Sequence, residues 1–292
     1  MGSYLINELL SKGYNVRCMI KYDDPSTIDL TSPNIEIVKG DLRDYSSILE
    51  ASYGVNAIIN LAAILGNPNY QENYDVHVKG AEHIVKACEK NGISRVLSYS
   101  SISAGRSNSS HYGVTKRESE DVLINSNLDV TIIRPEMIYG FGSRGINKII
   151  HQIKAYPFII PIVGNGKIIR QPVYVKDIVK LTVNILNDTK SYGEILNVGG
   201  KDKIEMREFI LIIARHFNIR KIMVPIPGTI AIWIAFLIEK LIPNPPFTVD
   251  NMRGLTESTM FDINKLEQIY GFQPIDIQKG ISETLIEIRD NK

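Results

Sequence analysis

Tyr112 and Lys116 stand four positions apart in the run Tyr112-Gly113-Val114-Thr115-Lys116. On a helix, residues i and i+4 share a face, so the ammonium can sit beside the phenol and favour its ionised form. A phenol that ordinarily titrates near ~10 would then serve as an acid/base at operating pH. Alone, the same spacing also fits any amphipathic helix surface. Upstream, Val96-Leu97-Ser98-Tyr99-Ser100-Ser101-Ile102-Ser103 reads as a buried strand ending in a hydroxyl cluster. Ligands of parallel α/β sheets bind beyond the carboxyl ends of the strands, which suits Ser101, with Ser103 as the alternate hydroxyl, to hold a substrate oxygen. Downstream, Val130 to Pro135 is a second β-branched run, followed by Glu136-Met137-Ile138-Tyr139-Gly140.

The elements that must position these groups follow from the rest of the chain. Met1 to Gly13 has apolar residues at helical spacing and a glycine stop, and Tyr14 to Lys21 reads as a strand. Ile35 to Leu42 is a further strand ending in Asp41-Leu42, Asp44 to Ala51 begins a helix, and Ala57 to Ala63 is a strand closing on small residues. Another helix starts near Tyr74, and helical pattern resumes between Gly142 and Pro161. Strands alternating with helices in this way predict an α/β fold with a parallel sheet.

Strand-Ser, helix-Tyr-Lys, strand-Arg-Pro-Tyr-Gly in this order resembles the extended short-chain dehydrogenase/reductase, or NAD-dependent epimerase/dehydratase, family. The resemblance runs over nearly the whole chain. It includes Leu61-Ala62-Ala63, the stretch from Gly164 through Arg170 to Asp177, Asn197-Val198-Gly199-Gly200, and Phe261-Asp262 to Pro274. It implies a Rossmann-type doubly wound parallel sheet with a smaller C-terminal substrate-binding lobe. The core is expected over 1–142 with interleaved segments near 168–200, and the lobe mainly over 143–292. It also implies NAD or NADP as cofactor, with Ser101, Tyr112 and Lys116 catalytic and a nucleotide sugar as the leading substrate.

Further site residues come from the same resemblance. Gly2 matches the third glycine of the family's T-G-x-x-G-x-x-G turn, which lets helix and sheet approach closely; the preceding strand and first two glycines are not in this sequence. Since that strand is central in the doubly wound order, the reading expects a sequence that starts late. Asp41 is expected beside the adenine amino group, Leu42 against the ring, and Leu61, Ala62 and Ala63 close to the cofactor. Asn60 replaces the usual histidine, and His77 takes the place of a cofactor-side asparagine. Tyr112, Lys116 and Pro135 complete the cofactor set. Lys21, with Arg17 in the same strand, leans the choice towards NADP, while Tyr22, Asp23 and Asp24 leave it open. Arg170 is expected to anchor a substrate diphosphate through its planar fork. Asp177 is expected to cap a helix over 178–186.

Composition narrows the classes. With 292 residues, 44% hydrophobic and 22% charged, the chain suits a soluble globular protein of one domain with a lobe, or two small domains. A net charge of +1 gives no electrostatic case for nucleic acid or an anionic membrane as the main partner. Cys18 and Cys88 are too few for a disulfide scaffold and read as buried hydrophobes of a reducing compartment. His77 and His83 do not make a metal site. The longest apolar run, Ile230 to Ile238, is shorter than the ~20 residues of a spanning helix and is expected to pack on protein or at most lie on a surface; no secretory signal is visible, so the expected location is cytoplasmic. A homodimer through the core helices is common in the resembled family. The apolar stretch from Pro225 to Pro243 is similar to family reductases of sterol-like or flavonoid-like compounds, which is one alternative. A dinucleotide-binding module without turnover is the other.

Overall fold

A computed structural model of the chain describes residues 1–21, 32–64, 69–106, 109–156, 158–242, 249, 252 and 256–290. Tyr22, Asp23, Asp24 and Pro243, all named above, lie outside the described residues. The chain divides into two compact units, one formed by Met1–Arg134 with Val179–Leu196, the other by Pro135–Ile178 with Asn197–Lys292.

The first unit runs α1 (Gly2–Ser11), β1 (Val16–Ile20), β2 (Ile35–Lys39), α2 (Tyr45–Ala51), β3 (Ala57–Asn60) and α3 (Tyr70–Tyr74). A π-helical turn (Asp75–Lys79) then leads into α4 (Gly80–Asn91), β4 (Arg95–Tyr99), a 3₁₀ turn (Ile102–Gly105), α5 (His111–Ile124) and β5 (Asp129–Pro135). All paired strands here are parallel, as expected. β1 pairs with β2 in one sheet, and a second sheet has the order β10-β5-β4-β3, where β10 is Ile195–Val198. No ladder joins β1 to β3 among the described residues, which is where the resembled family has its first strand.

Local chemistry explains the boundaries. Asp44 caps α2 by accepting the Ser46 amide, and Ser110 caps α5 by accepting that of Gly113. α4 stops at Gly92, whose left-handed φ of 73° lets the chain leave the helix. β4 is buried at every position and alternates its faces. Val96 joins Val130, Ile132, Ile84, Cys88 and Leu123 in the core under α2, α4 and α5. The other face carries Arg95, which donates to the carbonyls of Leu186 (2.7 Å), Ile185 (2.8 Å) and Asp129 (2.8 Å) and to the hydroxyls of Thr131 and Ser191. That buried guanidinium therefore ties the returning segment 179–196 to β4 and β5. Burial pushes the Cys88 thiol up to about 12, so it stays an inert hydrophobe.

The second unit contains β6 (Ile138–Tyr139), α6 (Arg144–Ala155), β7 (Ile159–Val163), β8 (Ile169–Arg170) and β9 (Val173–Tyr174). α7 (Val175–Ile185) begins here and ends in the first unit, and β11 (Ile204–Glu205), α8 (Met206–His216), β12 (Ile222–Ile226) and α9 (Gly228–Leu241) follow. The last elements are α10 (Asn264–Tyr270) and α11 (Ile277–Asp290). α7 starts three residues before the expected Ile178, which moves Asp177 into its first turn. The Asp177 carboxylate accepts the Ile275 amide at 3.0 Å and so fastens the segment before α11.

Candidate active site

The 3₁₀ turn after β4 and the first two turns of α5 carry the three residues singled out by spacing. Ser101 is the N-cap of the turn, and its Oγ accepts the Ser103 amide at 3.2 Å. The Tyr112 phenol lies beside the Ser101 side chain, which acts to lower its pKa. Gly113 is what allows this approach. A Cβ there would stand 2.8 Å from the Ser103 carbonyl oxygen and 2.8 Å from the Ser109 Cβ, so only glycine lets α5 lie this close to the turn. Arg117, one turn on, donates to the Ala104 carbonyl at 2.6 Å and to the Arg106 carbonyl, fixing the loop from the helix side.

Lys116 is buried, and its ammonium donates to the carbonyls of Tyr99 (2.9 Å) and Ala62 (3.3 Å), the residues that leave β4 and β3. Desolvation lowers its pKa to about 8, opposed by the carboxylate of Glu120 one turn away. Glu120 in turn forms a two-point pair with Arg134, Nε to Oε1 at 2.9 Å. Lys116, Glu120 and Arg134 thus make a charged row behind the site.

The phenol itself behaves contrary to the sequence expectation. Burial pushes Tyr112 up to about 12, and the Ser101 side chain lowers it only in part. Lys116 is aimed at backbone carbonyls and does not bring the phenol down. Desolvation of the phenolate outweighs an ammonium whose own charge burial has made costly.

His77 packs its ring edge-on to Tyr112, with centroids 5.4 Å apart and planes at 83°. It is buried; Nε2 accepts the Ile64 amide at 3.3 Å, which assigns the proton to Nδ1, 2.9 Å from Thr115 Oγ1. Desolvation, then the Lys116 charge, lowers its pKa to about 3, so the imidazole is neutral. The π-helical turn that carries it has no simple sequence signature, and neither do two further buried groups of the site. Asn60 donates to Ser98 Oγ at 3.3 Å, and Ser100 Oγ is buried without a hydrogen-bond partner among the described residues.

Other expected residues are placed as follows. Asp41 stands beyond β2, where a two-point pair with Arg43 (2.6 and 2.9 Å) lowers its carboxyl to about 2. Lys21 follows β1, is exposed, and adds to the positive field on Asp41. Leu42 is buried beneath Gly80, and its carbonyl is 2.8 Å from His83 Nδ1. Leu61 is half-buried, while Ala62 and Ala63 are exposed after β3. Ser103 lies half-buried in the 3₁₀ turn, and Pro135 is buried at the end of β5.

Three further residues have surroundings that bear on their expected roles. A Cβ on Gly2 would meet no heavy atom within 4 Å, so no close helix–sheet contact requires glycine there. Arg17 lies at the amino end of β1, bonded to Glu36 (2.6 Å) and the carbonyls of Tyr53 (2.6 Å) and Ala51 (3.1 Å), and so leaves the cofactor question to Lys21. Arg170 is buried, and its Nη1 donates to Glu136 (3.0 Å) and Thr259 (3.3 Å).

Among the described residues no cluster of three or more His, Cys, Asp or Glu could hold a metal ion, and no helix is long and apolar enough to cross a membrane.

Comparison with known proteins gives the family and the fold. The model of the NAD dependent epimerase/dehydratase family matches residues 1–199. The mitochondrial NADH dehydrogenase (ubiquinone) 1 alpha subcomplex subunit 9 of Arabidopsis thaliana is 29% identical over 294 residues, covering 95% of this chain and 71% of that protein. The N-acetyl-alpha-D-glucosaminyl-diphospho-ditrans,octacis-undecaprenol 4-epimerase of Escherichia coli O157:H7 is 26% identical over 271 residues, covering 84% of this chain and 81% of that one. The crystal structure of UDP-glucuronic acid 4-epimerase from Bacillus cereus, in complex with UDP-glucuronic acid and NAD, superposes with a TM-score of 0.76. Identity is 20%, and the match covers 100% of this chain and 96% of that one, a likeness of fold.

Proposed function

The chain belongs to the NAD dependent epimerase/dehydratase family, and from that premise we propose that it is a nicotinamide-dependent oxidoreductase of sugar hydroxyls, a nucleotide sugar being the leading substrate. The observation that carries the proposal is the placement of the Tyr112 phenol beside the Ser101 side chain, one helical turn from a buried lysine. A purely structural phenol has no need of both.

The residues present fit the cofactor by the chemistry of their donors. Asp41, Ala62, Ala63 and Ser101 all follow the carboxyl ends of parallel strands, where such ligands bind. The exposed backbone of Ala62 and Ala63 offers close approach, the Asp41 carboxylate suits an amino group, and Lys21 suits a ribose phosphate. When bound, NAD or NADP supplies hydride acceptance and, in its oxidised form, a positive charge near the phenol.

The chain's own residues do the rest. Ser101 holds the substrate oxygen, and Tyr112 exchanges the hydroxyl proton at its Oη. With its pKa near 12, the phenol in this structure is a proton donor. To act as a base it must gain positive charge nearby on loading, beyond that of Lys116, which in this structure leaves the phenol high. His77 stays neutral beside the ring and adds no competing charge. A carbonyl kept in the site and reduced on its other face gives epimerisation, and one that departs gives dehydrogenation.

Sugar substrates are supported by the 26% identical epimerase, whose name specifies a diphospho-linked sugar. The test is a panel of nucleotide sugars, following nicotinamide absorbance and product stereochemistry. Tyr112→Phe should abolish turnover and leave cofactor affinity within a few-fold; undiminished turnover in that variant would remove the assigned role. A sterol-like hydroxy compound turned over in place of every sugar would keep the chemistry and replace the substrate.

A second reading is favoured by the 29% identity to the NADH dehydrogenase subunit over 95% of the chain. In it the chain is a dinucleotide-binding module without turnover. Cofactor binding that Tyr112→Phe leaves unchanged, with no product from any substrate, is its signature.

A further inference from the structure

α9 has the sequence Gly228-Thr229-Ile230-Ala231-Ile232-Trp233-Ile234-Ala235-Phe236-Leu237-Ile238-Glu239-Lys240-Leu241, apolar on every side up to Glu239. Such a helix is normally buried in a core or in lipid. Here the arrangement is inverted. Only Ala231 and Ala235, one turn apart, are buried, while Ile230, Trp233, Ile234, Phe236, Leu237 and Leu241 face outward, with Trp233 66% and Leu241 78% exposed. At ~100° per residue those six positions and Lys240 fill one continuous sector of roughly 160°. A contiguous apolar face of this size marks an interaction surface.

Its chemistry identifies the partner. Lys240 is the single charge in the sector, its Nζ 4.5 Å from the centroid of the Phe236 ring. It stands in the last turn, the end of a helix where a cation is favoured. The neighbouring Glu239 is half-buried and turned away to accept the Val249 amide at 2.8 Å, so the face offers an ammonium and withdraws the carboxylate. Trp233 packs edge-on against Phe236, with centroids 6.1 Å apart. Aliphatic side chains, an aromatic pair and a rim cation form the surface that interfacial helices present to acyl chains and lipid phosphates. The helix spans ~21 Å against a hydrocarbon core of ~30 Å, so it can lie in a bilayer surface but not cross it.

We propose that α9 is a membrane-surface helix, which seats its Ile230–Leu241 face in the headgroup boundary of a phospholipid bilayer with Lys240 at the phosphates. This is independent of the chemistry assigned to Tyr112.

The chain carries its own probe, because Trp233 is its sole tryptophan. The experiment mixes the full chain with phosphatidylcholine vesicles, with and without phosphatidylglycerol, and reads co-sedimentation and Trp233 emission. The expected result is pelleting with lipid, a blue shift, and quenching by lipids brominated in the upper acyl chain. Ile234→Glu with Leu237→Glu, both at exposed positions, should lower the bound fraction at least about tenfold with an unchanged circular dichroism spectrum. Tyr112→Phe should bind vesicles like the wild type. No blue shift and no pelleting at saturating lipid would overturn the proposal. So would a blue shift that needs no lipid and tracks a doubled mass in sedimentation, which would give the face to a second copy of the chain.

Discussion

Replacing Lys116 by Met should abolish turnover while leaving the protein at least as stable at neutral pH. The ammonium is buried, and the fall of its pKa from 10.5 to about 8 measures what burial of the charge costs. At ~1.4 kcal/mol per pKa unit, that is roughly 3 kcal/mol at pH 7. Methionine fills similar space without the charge. Against that gain stands the Tyr99 carbonyl, which loses its donor at ~1–3 kcal/mol; the exposed Ala62 carbonyl can turn to water. The variant should therefore match the wild type or exceed it by up to ~2 kcal/mol.

The pH dependence isolates the cause. Below pH ~8 the lysine is charged in both folded and unfolded states and the penalty is complete. Between pH ~8 and ~10 the folded lysine is neutral while the unfolded one still binds its proton, so wild-type stability rises relative to the variant. Tyr112, whose pKa burial raises, titrates in the unfolded chain near pH ~10 in both proteins and so drops out of the difference. Urea unfolding of both proteins at several pH values is the assay. A difference that stays flat from pH 7 to 10, or a variant less stable by several kcal/mol throughout, would refute the reasoning.

Gly113→Ala should push the Ser103 turn, and Ser101 with it, away from Tyr112, lowering kcat about tenfold or more in a steady-state assay. Gly92→Ala, strained at its left-handed φ but in open space, should lower the thermal midpoint and spare kcat. Arg95→Ala strips donors from the carbonyls of Ile185, Leu186 and Asp129 and should destabilise by at least ~3 kcal/mol in denaturant titration. His77 is buried with a pKa of about 3, so acid protonates the unfolded chain first. Wild-type stability should fall as pH drops below 6.5, by roughly 2 kcal/mol near pH 5, and His77→Asn should remove that part of the slope in pH-dependent melting curves.

Sequence alone determined the elements and their order. β-branched runs, glycine stops and capping residues act over a few residues, which is why Val96–Tyr99, Val130–Pro135 and the helix bearing Tyr112 and Lys116 were legible, and with them the parallel α/β class. Tertiary structure decided what each charged group faces. Arg17 meets Glu36 across a strand pair and Arg170 meets Glu136, partners 19 and 34 residues away that no local pattern announces. The direction of the Tyr112 shift was equally hidden, because spacing records a neighbour's charge but not the water excluded from both groups. So was the orientation of α9. Its apolar letters promise burial, and only the packed unit shows that the alanines took the inside and left the large side chains out. Hydrophobicity and hydrogen-bonding capacity are properties of a residue, whereas desolvation belongs to the fold that surrounds it.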